Sequence, residues 1–554
     1  MGCTLSQARS LGRYSCVSLR IAAYRSRFTK GSIVTQVRGY VDTIVSATRT
    51  RLDAPAYVFN ASGPTWREML ESTARLAGGL RALGVGAGDR VAILARNGSA
   101  YLELYLAIPW AGAIAAHLNW RWTVAENIQA IQDCSPVVLV VDDKVAPDEV
   151  TAIQAAMPSL KIVATGSKLD RGAIPFSHLS ESAPIPDAGR AGDDPLAIYF
   201  TGGTTGRSKG VVLSHHTVIR NSLSVREVGM MPDGASMLVI PPLFHLGAGS
   251  SVTTTMLAGG TVVLDREFDP ERTLQWIERG LVTDAFLVPT MIGMLLDHPG
   301  FIPERLTRLR RIVYGSSPIS SETLDRILNY APHIDFFQAY GMTESCSVAT
   351  VLRPEFHLGE HRQAGRYRSA GLPVRGVTLR IVDAEGRDLP AGTVGEVLIG
   401  GEMLMLGYWN QPETTAAALR DGWLRTGDGG YLDEHGLLYI VDRLKDMIVT
   451  GGENVYSGEV ENALSRHPAV AQCAVIGVPD DRWGERVHAV VFVRPGQLVS
   501  DADLIAHCRA RIGAFKCPRS IEFSPGPIPM SAAGKILKHE LRMKHWQGRE
   551  RRVS

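Results

Sequence analysis

The chain lacks a dominant charge: 58 Lys and Arg stand against 56 Asp and Glu in 554 residues, a formal net charge of +2. That balance excludes a global attraction to nucleic acid or to an anionic membrane. Cysteine is sparse and scattered, with Cys3, Cys16, Cys134, Cys346, Cys473, Cys508 and Cys517 forming no C-x-x-C pair. A disulfide framework and a cysteine-built zinc site are both excluded, and a reducing compartment is expected. The 15 histidines contain no H-E-x-x-H. "HLGEH" (His357–His361) fits the inverted motif, but Gly359 close after Pro354 argues against the helix that motif requires. The adjacent pair His215–His216 reads as ordinary hydrogen-bonding histidines. No membrane-length apolar run occurs. Tyr101–Trp120 comes nearest, and it contains Glu103, Pro109 and His117, so it reads as a buried helix followed by a turn.

Acid is also missing from the first 41 residues, which hold seven Arg or Lys and six serines before Asp42. Three readings of this stretch stay open: an organellar transit peptide, an N-myristoylated "MGCTLS" with Cys3 available for palmitoylation, or a poorly ordered extension. The expected location is cytoplasmic, or mitochondrial if the extension is a transit peptide. Peripheral membrane contact and a homodimer are both compatible with the sequence.

Gly 56 and Pro 30 indicate many turns, and the length corresponds to about three to four domains. "WREMLESTARLAGGLRALGVGAGDRVAIL" reads as an amphipathic helix, a glycine-rich turn and a buried strand through Val91–Leu94. Helices over Ser99–Ala111 and Ala125–Asp133 and the strand Pro136–Val141 follow, and this alternation indicates βαβ units with a largely parallel sheet. From about Gly371 short alternating strands suggest an antiparallel β subdomain, and beyond "DRLKDMIVTGG" a small α+β unit follows.

"YFTGGTTGRSKGVVLSHH" (Tyr199–His216) has the composition of a phosphate cradle. Gly202, Gly203 and Gly206 permit positive φ and close backbone approach, and exposed N–H groups in such a turn form an anion nest. Thr201, Thr204 and Thr205 add hydroxyl donors, and Lys209 adds charge. It is not a P-loop, because Lys209 follows Ser208 and precedes Gly210.

This stretch resembles the T-S/G-G-T-T-G-x-P-K-G signature of AMP-forming acyl-adenylate synthetases, which include acyl-CoA synthetases, luciferases and non-ribosomal adenylation domains. Gly202 stands for the commoner serine and Ser208 for proline. Further signatures follow in the family's order. "YGSSP", with Gly315, Ser316 and Ser317, resembles the turn against adenine. "QAYGMTE" supplies Gln338, Ala339, Tyr340, Gly341, Met342, Thr343 and Glu344. The resemblance implies Tyr340 on the base, Thr343 on a phosphate and Glu344 on Mg²⁺, an ion that prefers oxygen ligands. It also implies Asp428 on the ribose hydroxyls, Ile440 beside the nucleotide, Arg443 on ribose or phosphate, and Lys535 of "AGKI" as the lysine of adenylation. The match runs from roughly Thr43 to Arg542, about nine-tenths of the chain.

The resemblance further implies an α/β fold: a large N-terminal domain of βαβ-type parallel sheets plus a β subdomain, with a small mobile α+β C-terminal domain. The boundaries expected are 1–41 for the extension, 42–443 for the AMP- and acyl-binding domain, and 444–554 for the small domain. Its reaction joins a carboxylate to the α-phosphorus of ATP, releases pyrophosphate, and passes the acyl group to coenzyme A. Lys535, Glu344, Thr343, His245 and Lys209 are the expected catalytic residues, with Lys445 as hinge and Gly451–Gly452 lining the CoA path. The acyl pocket is expected from His245, Leu246, Gly247, Ala248, Met342 and Cys346. Amino-acid adenylation domains carry an aspartate after the phenylalanine of "PPLFHLGAG". Here His245 follows Phe244 and no acid occurs through Thr255, which favours an acid without an α-amino group. With 19 residues after Lys535 and a "RRVS" terminus, the sequence reads as a free-standing fatty-acid or aryl-acid–CoA ligase. A ligase delivering to a carrier protein, or a non-catalytic nucleotide-binding relative, is the alternative.

Overall fold

The structure is a computed structural model and describes residues 39–166, 172–201, 208–315, 319–530 and 536–547. Helix boundaries follow local chemistry. Thr65 opens the helix Trp66–Ala82 with a capping box: its hydroxyl accepts the Glu68 N–H at 3.3 Å, and the Glu68 carboxylate accepts the Thr65 N–H at 2.8 Å. Thr123 and Glu126 repeat the device ahead of Val124–Cys134. Trp66, Met69, Thr73, Leu76 and Leu80, three or four apart, form the buried face of the first helix. Each large apolar side chain buried this way stabilises by about 1.5–3 kcal/mol.

The described residues build four sheets. The first runs, edge to edge, Tyr57–Phe59, Thr261–Leu264, Ser236–Val239, Asp284–Phe286, Arg311–Gly315, Asp335–Tyr340, Thr350–Leu352 and Leu372–Pro373. Its first six strands are parallel, and the last two are antiparallel. The second runs Gly407–Tyr408, Lys209–Ser214, Pro195–Thr201, Ile114–His117, Arg90–Leu94, Val138–Val141, Lys161–Ala164 and Ile174–Pro175. It is parallel except at the end that carries Gly407–Tyr408 and Lys209–Ser214. Strand Val138–Val141 is buried at every position, which accounts for its uninterrupted apolar sequence. Helices Ser99–Trp110, His215–Glu227 and Leu246–Leu257 contribute to one core with both sheets.

The segment Tyr101–Trp120 resolves as expected into a helix ending at Trp110, a turn at Gly112 and the strand Ile114–His117. No described helix is long and apolar enough to cross a membrane. Near the start of the described residues, the helix Tyr40–Thr48 buries Tyr40 and Val41. The third sheet is the antiparallel unit expected after Gly371, with strands Val377–Val382, Gly395–Gly401, Trp423–Leu432, Leu419–Arg420 and Leu438–Arg443. The fourth contains Ile448–Thr450, Glu453–Val455, Val470–Asp480, Gly484–Val493 and Ser520–Phe523. The mixed α/β class with a smaller C-terminal unit is therefore the observed one.

The histidines pair as the sequence suggested. His215 Nδ1 accepts the Tyr40 N–H at 3.1 Å. His357 lies 2.9 Å from the Tyr314 hydroxyl, whereas His361 sits 2.8 Å from Arg366, so the "HLGEH" pair serves separate partners.

Candidate active site

Strands Pro195–Thr201 and Lys209–Ser214 form the hairpin that carries the glycine–threonine loop, with Thr201 opposite Lys209. Gly202, Gly203, Thr204, Thr205 and Gly206 lie outside the described residues, as do Ser316, Ser317 and Lys535. The Lys209 ammonium stands 5.0 Å from the centroid of the Tyr408 ring, a cation–π contact. On its other side Tyr408 donates its hydroxyl to Glu344 Oε1 at 2.9 Å. Burial and the Glu344 charge together raise the Tyr408 pKa, so the phenol stays a donor. Tyr408 arrives through the two-residue strand Gly407–Tyr408, which pairs with the Lys209 strand at Val211. Sequence reading missed this tyrosine; its signal was the aromatic pair after glycine in "GYWN".

Glu344 sits in the 3₁₀ turn Thr343–Ser345 and is 7% exposed. Its carbonyl accepts the Met405 N–H at 2.9 Å, and the turn closes at Cys346 in the left-handed region, φ 55°. No ion pair of Glu344 occurs among the described residues. A buried carboxylate with a neutral donor and no cation suits a hard divalent ion such as Mg²⁺.

Asp428 is furnished differently. It faces Arg443 across strands Trp423–Leu432 and Leu438–Arg443, with Arg443 Nε 2.7 Å from Oδ1. Tyr340 donates its hydroxyl to Oδ2 at 2.7 Å, and the Asp428 N–H donates to Thr426 Oγ1 at 3.0 Å. Burial, then the Asp428 charge, holds the Tyr340 phenol well above its ordinary pKa. Ile440 lies on the same strand as Arg443 and packs with Ala370, Ile381 and Val397. Gly315 pairs with Ala339 and Tyr314 with Gln338. A Cβ at Gly315 would meet the Ala339 carbonyl at 2.7 Å, so the close approach of these strands requires glycine. Gly341 and Met342 follow directly, and Met342 donates its N–H to Ser345 Oγ at 3.0 Å.

Beside this cluster lies a narrow cavity walled by Tyr105, Tyr199, Val218, Asn221, Leu246 and Cys346, among others. Of the six residues expected in the acyl pocket, Leu246 and Cys346 line it; His245, Gly247, Ala248 and Met342 do not. His245 precedes the helix Leu246–Leu257 as its N-cap, with its ring against Phe244. Successive helical residues turn by about 100°, so Leu246, Ser250 and Thr253 share the cavity face while Gly247 faces Phe286 and Ala248 enters the core. Burial raises the Cys346 thiol pKa, so it lines the wall as a neutral group.

Two models of the AMP-binding enzyme family match this chain, the main one over residues 45–409 and its C-terminal domain over residues 459–535. The chain belongs to the AMP-binding enzyme family. A feruloyl-CoA synthase from Amycolatopsis sp is 40% identical over 479 residues, covering 86% of this chain and 93% of the relative. The fatty acid–[acyl-carrier-protein] ligase ScoC of Streptomyces coeruleorubidus is 38% identical over 506 residues, covering 90% and 95%. ATP-bound MatB from Rhodopseudomonas palustris superposes with a TM-score of 0.82 at 30% identity, covering 91% of this chain and 98% of that one. The family and fold that the ordered signatures implied are those found.

In this AMP-binding enzyme, Lys445 lies in the 3₁₀ turn Leu444–Asp446, between the last strand of the third sheet and the first of the fourth. Burial holds its ammonium below the ordinary lysine value. Polar contacts cross the same junction. Asp442 Oδ2 accepts the Ser457 N–H at 2.5 Å at the start of the helix Ser457–Ser465, and Arg542 lies 2.7 Å from Asp446. Gly451 and Gly452, φ 62° and 86°, make the two-residue turn between Ile448–Thr450 and Glu453–Val455. Positive φ at both positions is the geometry of a type I′ hairpin.

Proposed function

We propose that this enzyme converts a carboxylic acid, ATP and coenzyme A into acyl-CoA, AMP and pyrophosphate through an acyl-AMP intermediate. The observation that carries this reading is the array Lys209–Tyr408–Glu344 beside a cavity that Cys346 helps to line. A cation for phosphate, a carboxylate suited to Mg²⁺ and a room for an acyl group thereby adjoin one another.

In the first step a carboxylate oxygen attacks the α-phosphorus, and the α–β bridging bond breaks to release pyrophosphate. Charge grows on the phosphate oxygens, so prearranged cations lower the barrier. Lys209 serves the departing phosphates together with Thr201, Gly202, Gly203, Thr204, Thr205 and Gly206, and Lys535 serves the α-phosphate. Glu344, with Thr343 beside it, would hold Mg²⁺, and the ion would supply further electrostatic stabilisation. Asp428 and Arg443 receive the ribose, and Gly315, Ser316, Ser317, Gln338, Ala339 and Tyr340 frame the adenine. In the second step the CoA sulfur attacks the acyl carbon, and AMP leaves with the former carboxylate oxygen. Rotation of 444–554 against 42–443 about Lys445 brings Gly451–Gly452 to the thiol path, with His245 near the thiol entrance.

The cavity also bears on the acid. Asn221 Nδ2 donates to the Val348 carbonyl at 2.8 Å, which fixes the orientation of the amide. Its Oδ1 is then left buried with no hydrogen-bond partner among the described residues. An unsatisfied buried acceptor costs about 1–3 kcal/mol, so a donor on the acid is favoured there. Ferulic acid, the acid in one relative's name, carries a phenol. The acid we propose is accordingly an aryl acid with a hydroxyl or N–H on the ring. Paired acids with and without that donor test it by acid-dependent pyrophosphate release. The donor-bearing member is expected to lead by about 30-fold in kcat/KM, the middle of that energy range, and Asn221→Leu to erase the lead. Equal use of both acids by the unsubstituted enzyme would overturn this choice of substrate.

The relative that charges an acyl carrier protein supports a second reading in which the thiol belongs to a carrier. Thioester formation with CoA alone, compared with phosphopantetheinylated carrier alone, separates the two.

A further inference from the structure

A second cluster lies in the C-terminal unit, away from the nucleotide and acyl residues. His488 stands on the strand Gly484–Val493 and Glu522 on the parallel strand Ser520–Phe523. His545 follows the helix Lys538–Met543. His488 Nε2 lies 3.7 Å from Glu522 Oε2, and His545 Nε2 lies 3.9 Å from the same oxygen. One ligand atom from each residue falls within 4.8 Å of the other two. Tetrahedral zinc with bonds of about 2.0–2.2 Å separates its donors by about 3.3–3.5 Å. Shifts of roughly half an ångström would bring both histidine–glutamate distances into that range, and at most about 1.5 Å the distance between the two histidines.

The surroundings prepare these atoms for a metal. Neither histidine Nε2 has a hydrogen-bond partner among the described residues, although His488 is buried. Ser520 Oγ lies 2.8 Å from His488 Nδ1, and a proton on that nitrogen leaves the Nε2 lone pair exposed to the cluster. Lys544 binds the other oxygen of Glu522, at 2.5 Å from Oε1, and leaves Oε2 facing the histidines. Arg486 is also nearby, and its guanidinium is shared with Asp480 at 3.9 Å. Two imidazoles thus face one carboxylate oxygen at 3.7 and 3.9 Å, beyond hydrogen-bond reach, an arrangement the described residues leave unsatisfied.

We propose that His488, Glu522 and His545 form a binding site for a borderline divalent cation, zinc foremost. Three protein ligands leave one coordination position for water. The cation would pin the segment after Lys538–Met543 to the sheet of the C-terminal unit, bracing the part of the chain that follows Lys535.

The test uses the full-length protein stripped with a chelator and titrated with Zn²⁺ against a chromogenic competitor. One site per chain is expected, together with a zinc-dependent rise in the thermal midpoint. Glu522→Gln and His488→Ala are each expected to weaken the site at least about tenfold, the lower end of what losing even an outer-sphere partner costs. His545→Gln, at a partly exposed position, supplies the same comparison should His488→Ala not fold. Zinc affinity unchanged in Glu522→Gln and His545→Gln would overturn the proposal, as would a stripped wild-type protein that takes up no zinc.

Discussion

Glu344 and Asp428 are both buried carboxylates, 7% and 4% exposed, yet the fold equips them in opposite ways. Asp428 has a guanidinium on one oxygen and a phenol on the other. Glu344 has the Tyr408 hydroxyl, while Lys209 lies against the ring of that tyrosine. A carboxylate taken from water without a cation is costly to keep ionised. Asp428 already has a cation beside it and can accept hydrogen bonds from uncharged hydroxyls. Glu344 gains most when a cation arrives, so in the proposed reaction one carboxylate would serve a sugar and the other a metal.

The largest effect should come from Glu344, the carboxylate with no ion pair among the described residues. Glu344→Gln is expected to lower acid-dependent pyrophosphate release by about 100-fold or more, since metal stabilisation of developing charge is worth several kcal/mol. Excess Mg²⁺ should not restore it. Asp428→Asn should act instead on nucleotide binding. A charged hydrogen bond contributes about 1.5–3 kcal/mol, so KM for ATP should rise about tenfold or more. Discrimination between ATP and 2′-deoxy-ATP should collapse in the same variant. If Asp428→Asn altered the Mg²⁺ dependence and Glu344→Gln the deoxy discrimination, the roles would be reversed. Tyr408→Phe is the smallest and sharpest probe. It keeps the ring against Lys209 and removes one hydrogen bond, worth about 0.5–1.5 kcal/mol, or roughly two- to twelvefold in rate. Combined with Glu344→Gln it should add nothing, because the two act through one contact.

Much of this frame was legible in the residues. "PVVLVV" read as a buried strand because a parallel strand covered on both faces leaves no position for a polar residue. The helix from Trp66 was legible because its apolar residues recur three or four apart. Tyr408 was hidden because its place depends on a two-residue strand reaching a distant sheet edge. Only two of the six residues expected in the acyl pocket line this cavity, for a geometric reason. Sequence neighbours of Leu246 were taken as pocket neighbours, whereas the helix turns Gly247 and Ala248 away and brings Ser250 and Thr253 round. Asn221 gave no sign either, since a polar residue in a helix declares its function only when one of its atoms lacks a partner.

The most direct measurement is product stoichiometry from a ring-hydroxylated aryl acid, ATP, Mg²⁺ and CoA, followed by separation of nucleotides and thioester. Acyl-CoA, AMP and pyrophosphate in equal amounts, with acyl-AMP accumulating when CoA is withheld, is the predicted result. Formation of ADP and phosphate, or of thioester without AMP, would contradict it.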